Sequence, residues 1–472
     1  MNNKMENQKI YKYITLGTGI ILMCLALFFG KFIYTYSGVL YTAAYVIIIM
    51  IIAAIAYFIF RKNELAGLIV SLVFLIFFIA LTVFTNNIDK KVSKVKAGTE
   101  YTVVQIAVLK NSTYTEESDF STCKMGYVNS EEGIFKECTE ILEEHNKTLY
   151  YSTPFEDSNT VYEKLCNNEV QLIALTSRMR ADLNESNPDY EENLKVIFEK
   201  KFPVKGAKVK AVDISKEPFT VYLQGVDRTA DGDINSTGSG DVNILLSVNP
   251  KKKLVNMQVI PRDTLIKIDG VGGRSKLTYA GAWGGVQSSI ASLEEEYGID
   301  INYYAKINFQ GLEDLVDALG GVEVYSHYSF SSGDYSYNEG YNYVNGNQAL
   351  MFARVRKILP GNELARGVHQ QELIKGILNK FSQNPSYDAL MSILDTVSDN
   401  FVSNLPQKDY AKALQLLARI MPELQKMEAK SVKGEFIWQT DEVDKRSYLY
   451  YFVPMDGEKE RIKKEINSVV KK

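Results

Sequence analysis

Three apolar runs free of charged residues open the chain, at residues 13–30, 38–60 and 65–84, each near the roughly 20 residues that cross a bilayer core. They predict three transmembrane helices. No small-residue cleavage site follows the first, so it reads as retained and not as a signal peptide. Lys4, Lys9 and Lys12 precede the first run and Arg61 and Lys62 part the second from the third, against Lys31 alone in the other short loop. The positive-inside bias then predicts a multi-pass cell-membrane protein with a cytoplasmic N-terminus and everything after residue 87 outside. Lys90, Lys91, Lys94 and Lys96 point the other way, but they head a long domain, where that bias loses force.

Beyond a lysine-rich linker at residues 88–99 the pattern changes to short apolar segments alternating with amphipathic ones. In residues 100–215, strands at 103–109, 149–151 and 170–176 alternate with a helical stretch at 134–145, which predicts a small α/β accessory domain. Residues 216–472 form the next expected domain. A second α/β pattern begins there at Phe219, with a strand ending in Gly225-Val226-Asp227-Arg228 and a loop rich in Gly, Ser and Asp. A strand at 242–248, the turn Asn249-Pro250-Lys251 and a strand at 254–260 then read as a hairpin. Strand, helix and strand follow at 303–309, 310–319 and 322–325, with Gly320-Gly321 as the helix stop, and further helices at 348–353 and 363–381. The C-terminal part adds two helices, a short strand near 448–453 and a basic tail.

If the hairpin strands pair antiparallel, Asp241 at the start of one lies beside Pro261-Arg262-Asp263 at the end of the other, and the preceding loop returns Asp227 to the same edge. Connectivity alone therefore converges two carboxylates and an arginine. The net charge of -4 argues against a nucleic-acid partner, so any anion site must be local. Half of the arginines, Arg228, Arg262, Arg274, Arg354, Arg356 and Arg366, fall in one stretch, and a guanidinium fork suits bidentate contact with phosphate or carboxylate. Asp227 and Asp241 suit a hard divalent cation, which takes one or two carboxylates and completes its shell with water and phosphate oxygens. Aspartates in Gly-rich loops are also common turn formers, and spacing does not separate the two readings. Arg354 and Arg356 share a face only in extended backbone, so a joint role requires the preceding helix to end by about Arg354. Arg366 and Gln370, one turn apart on the next helix, project together.

Other features add less. Tyr325, Tyr328, Tyr335, Tyr337, Tyr341 and Tyr343 crowd one segment, where rings serve packing or offer a platform to sugars. Cys123, Cys138 and Cys166 show no C-x-x-C spacing. Gly270-x-Gly272-Gly273 with Lys276 lacks the phosphate-loop spacing, and neither His327 nor His369 has the partner pattern of a catalytic base.

Seven ordered blocks around these residues resemble the LytR-CpsA-Psr family of cell-wall glycopolymer ligases, above all its capsule-locus members with three spans and an accessory domain. They are Gly225-Val226-Asp227, Asp241-Val242-Asn243-Ile244, Val259-Ile260-Pro261-Arg262-Asp263-Thr264, 276–280 followed by Gly284-Gly285, 315–322, 346–356 and 366–371. The resemblance implies an α/β/α sandwich with a mixed central sheet. It implies that Asp227 and Asp241 hold Mg2+, or Mn2+ in its place. It further implies that Arg262, Arg354, Arg356 and Arg366 with Gln370 clasp a diphosphate while apolar core elements enclose a polyprenyl chain. The activity implied is a metal-dependent phosphotransferase that moves a glycopolymer, capsular polysaccharide or a teichoic-acid-like polymer, from a polyprenyl-diphosphate carrier to peptidoglycan. The cell membrane and other capsule-assembly proteins are the further partners expected.

Arg262 and Asp263 are the expected catalytic residues, with Asp263 as the base that accepts the acceptor hydroxyl's proton. The chain departs from the family at Ser239, where many relatives carry an arginine, and at Glu363 and His369, where they carry an Asp and an Arg. The alternative from another class is a non-catalytic regulator of capsule polymer length, export or expression that senses the same lipid-linked precursors. Direct DNA contact is not expected, because no basic reading helix is present.

Overall fold

The computed structural model describes residues 99–471 apart from 130–132, 188, 205–209, 230, 384–391, 394, 407–408 and 444–447, together with Leu27, Tyr45, Ile49, Ile69, Val73, Ile76 and Ile79. The chain divides into two compact units, one of Met1–Lys96, Tyr387–Asp395 and Leu405–Leu416, the other of Ala97–Ser386, Thr396–Asn404 and Leu417–Lys472. The first lies largely outside the described residues. Among the described residues no helix is long and apolar enough to cross a membrane. That finding overturns the three transmembrane helices of the expected fold class and conflicts with a multi-pass membrane localisation. The runs at 13–30, 38–60 and 65–84 lie outside the described residues but for the isolated positions named above. The two longest described helices have 21 residues each and bury polar side chains within a protein core, which an apolar span does not do.

The second unit begins with β1 (Tyr101–Leu109), β2 (Lys124–Val128), α1 (Ile134–Glu144), β3 (Tyr151–Phe155), α2 (Ser158–Cys166), β4 (Leu172–Thr176), α3 (Ser177–Ser186), α4 (Tyr190–Asn193) and β5 (Leu194–Pro203). The strands form a mixed sheet of order β3-β2-β4-β1-β5. Helices cover both faces, so β1 is buried on both: Val104, Ile106 and Val108 pack with α1, and Ala107 packs with α2 and α3. Cys123 and Cys138 are buried in the first of these cores.

A second sheet follows. Its elements are β6 (Phe219–Thr229), β7 (Gly238–Asn249), β8 (Leu254–Val259), β9 (Leu265–Lys267), β10 (Arg274–Lys276), α5 (Leu277–Tyr297), β11 (Tyr303–Asn308), α6 (Phe309–Ala318), β12 (Val322–Ser326), β13 (Phe330–Ser332), β14 (Tyr335–Tyr337), β15 (Gly340–Val344), α7 (Gly346–Arg354), α8 (Glu363–Gln383), β16 (Phe401–Ser403), α9 (Tyr410–Lys426), β17 (Gly434–Thr440), β18 (Tyr448–Pro454) and α10 (Glu458–Val470). The sheet order is β16-β11-β6-β7-β8; β6 and β11 run parallel and the other pairs antiparallel. This is the expected α/β/α sandwich with a mixed sheet. On one face Tyr222 and Leu245 pack under α5 and α10, and on the other Leu223, Ile244 and Leu246 face α8 and the last turns of α9.

Helix α5 was not foreseen from the sequence, because it is buried on nearly every side and shows no amphipathic period. Gly284 and Gly285 interrupt it, Gly285 with φ +71, and the second half of the helix thereby gains an N-terminus of its own. Glu100 fills that place. Its carboxylate accepts the Val286 N–H at 2.8 Å and pairs with buried Lys306 at 2.8 Å, and it occupies the space any Cβ on Gly285 would need.

Candidate functional site

A cavity of about 760 Å3 opens largely on the sheet face opposite α5 and reaches Thr278 and Tyr279 at the start of that helix. Strand register builds its floor: Ala305, Leu223 and Ile244 lie abreast, and Ile307, Gly225 and Val242 form the next row. Leu312 and Leu315 of α6, Leu350 of α7 and Leu373, Ile374, Ile377 and Leu378 of α8 supply apolar walls. Asp227, Asp241, Arg262, Arg354, Arg356, Arg366 and Gln370 line the same cavity.

The polar and apolar groups are segregated. Along β7 the lining runs from Asp241 to Leu246, about 16 Å at the rise of a strand, and along α8 it runs from Arg366 to Leu378, about 18 Å at the rise of a helix. Asp227 lies two residues before the end of β6, beside the start of antiparallel β7, so strands and helix place their charged ends together and their apolar ends together. The result is a pocket with an ionic end and a hydrocarbon end.

Arg262 sits in a turn made rigid from both sides. Thr264 N–H and Oγ1 both donate to Pro261 O, at 3.0 and 2.6 Å, while the first N–H groups of α5, on Leu277 and Thr278, donate to Thr264 O and Arg262 O. The guanidinium Nη1 lies 2.8 Å from Asp241 Oδ1, and Nε lies 3.7 Å from Asp263 Oδ2. Burial works against the charge, but Asp241 and Asp263 more than offset it and raise the Arg262 pKa above its ordinary value. Helix α7 ends at Arg354, and extended Val355 (φ -58, ψ 131) lets Arg354 and Arg356 reach one cavity, as the spacing requires. Arg354 lies over the Phe309 ring at 4.5 Å. Arg366 and Gln370 are buried on the first turns of α8.

Glu363 pairs with Arg366 and lies 3.9 Å from Arg356. Burial pushes its carboxyl above the ordinary range and the Arg366 guanidinium below its own. Arg366 Nε is buried without a hydrogen-bond partner among the described residues, and an orphaned guanidinium N–H on a residue that lines the cavity suits an incoming oxyanion; Arg262 Nε, also without one, faces Asp263.

Asp263 does not line the cavity. It is 4% exposed and sits behind Arg262, with Oδ1 3.3 Å from the Nζ of buried Lys276. Nor does any of the six crowded tyrosines line it: Tyr337 is buried with its hydroxyl donating to Gln348 O at 2.7 Å, and Tyr341 and Tyr343 are exposed elsewhere. Ala181 and Asn184 of α3 and Glu191 of α4 also line this cavity, which no sequence pattern indicates. Sequence distance hides such a contribution, and only the packing of α3 on α5 reveals it.

His369 adds no cation to the cavity. It is fully buried, stacked on Phe352 at 4.1 Å, and its Nδ1–H donates to Phe352 O at 3.2 Å. Burial lowers its pKa to about 4. The unfolded chain therefore takes up this proton first, so stability present above about pH 6.5 should fall, by up to about 3 kcal/mol, as pH drops toward 4. Thermal melts of the parent and His369→Gln across pH 7 to 4 check this. The parent should lose more stability than the variant; parallel slopes would refute a neutral buried imidazole.

A family model described as the LytR_cpsA_psr family matches residues 190–468. The chain is 33% identical over 240 residues to the polyisoprenyl-teichoic acid–peptidoglycan teichoic acid transferase TagU of Bacillus licheniformis, covering 49% of this chain and 76% of that protein. It is 34% identical over 241 residues to TagU of Bacillus subtilis, again covering 49% and 76%. The crystal structure of B. subtilis TagU aligns with a TM-score of 0.43 and 29% identity over 54% of this chain and 98% of that one.

Proposed function

This chain belongs to the LytR-CpsA-Psr family, and from that premise we propose that it transfers a glycopolymer from a polyprenyl diphosphate to peptidoglycan. The observation that carries the reading is the cavity's polarity, arginines at one end and apolar walls that reach about 16–18 Å from it, which suits a diphosphate joined to a hydrocarbon. The names of the TagU relatives give a polyisoprenyl-linked teichoic acid as donor and peptidoglycan as acceptor. The cargo is capsular polysaccharide or a teichoic-acid-like polymer.

Arg262 and Arg366 grip the diphosphate through guanidinium N–H groups at the cavity wall, with Arg354, Arg356 and Gln370 completing the clasp. An acceptor hydroxyl oxygen forms a bond to the glycan-bearing phosphorus, the bond from that phosphorus to the lipid phosphate oxygen breaks, and the hydroxyl's proton passes to solvent water. Charge grows on the departing lipid phosphate, where the fixed guanidinium groups stabilise it without reorganising. Asp263, paired on both sides and away from the cavity wall, serves to aim Arg262 and not to take the proton.

Asp227 and Asp241 fit a hard divalent cation such as Mg2+ or Mn2+. Both line the phosphate end, and two carboxylates leave coordination positions for phosphate oxygens and water. A bound ion supplies charge neutralisation to the diphosphate. The test is release of polyprenyl monophosphate from a polyprenyl-diphosphate-linked glycan by the purified chain with Mg2+. Release that chelation abolishes is expected. Tight lipid binding without turnover would overturn the transferase reading in favour of a sensor, and undiminished release after chelation would remove the metal.

A further inference from the structure

Strands β17 and β18 pair with Phe436 opposite Phe452, Trp438 opposite Tyr450 and Thr440 opposite Tyr448. Alternate residues share a face, so one face of this ribbon is an aromatic row. It climbs out of the core: Phe452 is fully buried and Phe436 half-buried, while Tyr450, Trp438 and Tyr448 are 40, 58 and 63% exposed. Ring centroids are 5.0 Å apart for Phe436 and Tyr450, 5.1 Å for Trp438 and Tyr450 and 5.8 Å for Trp438 and Tyr448; the first and last pairs lie within 11° and 18° of parallel. Burial does not account for three large rings left in solvent on one face, and such a patch is the mark of a binding surface.

The ribbon is also fixed in place. The Tyr451 and Ser275 hydroxyls both donate to Asp441 Oδ2, and the Val443 N–H donates to Asp441 Oδ1 at 2.7 Å. It is continuous with the site. Phe452 N–H donates to Asp263 O at 2.8 Å, next to Arg262, and Leu449 on the opposite face packs with Tyr279, which lines the cavity.

We propose that this aromatic face binds the glycan strand of the acceptor peptidoglycan, with sugar rings stacked on Tyr450, Trp438 and Tyr448. Pyranose rings present flat C–H faces and carry their hydroxyls at the edge, so a fixed row of exposed aromatic rings holds them at small entropic cost. The donor's phosphate end occupies the cavity, and the acceptor has to approach the arginine end from outside, where the ribbon stands. The proposal rests on the transferase reading.

The test sediments the full chain with polymer-free peptidoglycan sacculi. The variant Trp438→Ala/Tyr448→Ala should bind about tenfold or more weakly, while Trp438→Phe/Tyr448→Phe stays near the parent. All three should melt alike and release polyprenyl monophosphate equally in the absence of acceptor, and peptide-free glycan oligosaccharides should compete with the sacculi. Undiminished sedimentation of the alanine variant, equal loss in the phenylalanine variant, or competition by stem peptides alone would overturn the proposal. A parent that sediments normally yet releases no lipid phosphate would instead fail the transferase reading.

Discussion

Replacing Arg262 by alanine is expected to lower polyprenyl monophosphate release by about 10²- to 10³-fold, the scale seen when one fixed donor to a developing oxyanion is removed. The size of the effect follows from its setting. The side chain is 21% exposed, its carbonyl and the turn after it are pinned by the start of α5, and two carboxylates keep it cationic at every working pH. Arg262→Lys keeps a charge but loses the fork, so it should recover only part of the rate. Initial rates at saturating lipid, with circular dichroism to confirm folding, decide the matter. An alanine variant with more than half the parental rate would remove Arg262 from the site.

The second large effect concerns stability. Glu363→Ala should destabilise the domain by about 3–5 kcal/mol, because it leaves the Arg366 guanidinium buried without its partner. At about 2–4 °C per kcal/mol for a domain of this size, the melting temperature should fall by roughly 10 °C. Burial shifts both groups against their charged forms, the sign of a pair whose desolvation is only partly offset by mutual attraction. Glu363→Met/Arg366→Met should therefore melt near the parent while releasing no lipid phosphate. A stable Glu363→Ala chain, or an active double variant, would show that the pair serves neither structure nor phosphate.

Much of this site was legible because it depends on local geometry. The turn at Asn249-Pro250-Lys251 fixes an antiparallel hairpin, and that hairpin alone brings Asp241 to Arg262. The end of α7 at Arg354 and the single turn between Arg366 and Gln370 are equally short-range facts. What escaped depends on packing. Helix α5 carries no period because it is buried on nearly every side, and Asp263 is withdrawn between Lys276 and Arg262, a placement that chain connectivity does not reveal. The β17 strand was missed, and with it the aromatic face, which exists only once β17 and β18 pair in register. The apolar runs near the N-terminus had the length of membrane spans, but among the described residues no helix of that kind exists.

The central claim is that one cavity holds both a diphosphate at its arginines and a prenyl chain along its sheet. A crystal structure of the chain with a polyprenyl diphosphate tests it most directly. The expected density places phosphate oxygens within hydrogen-bond reach of Arg262 and Arg366 and the hydrocarbon between Leu246 and Leu378. A lipid bound on another surface, or a diphosphate remote from those two arginines, would contradict it.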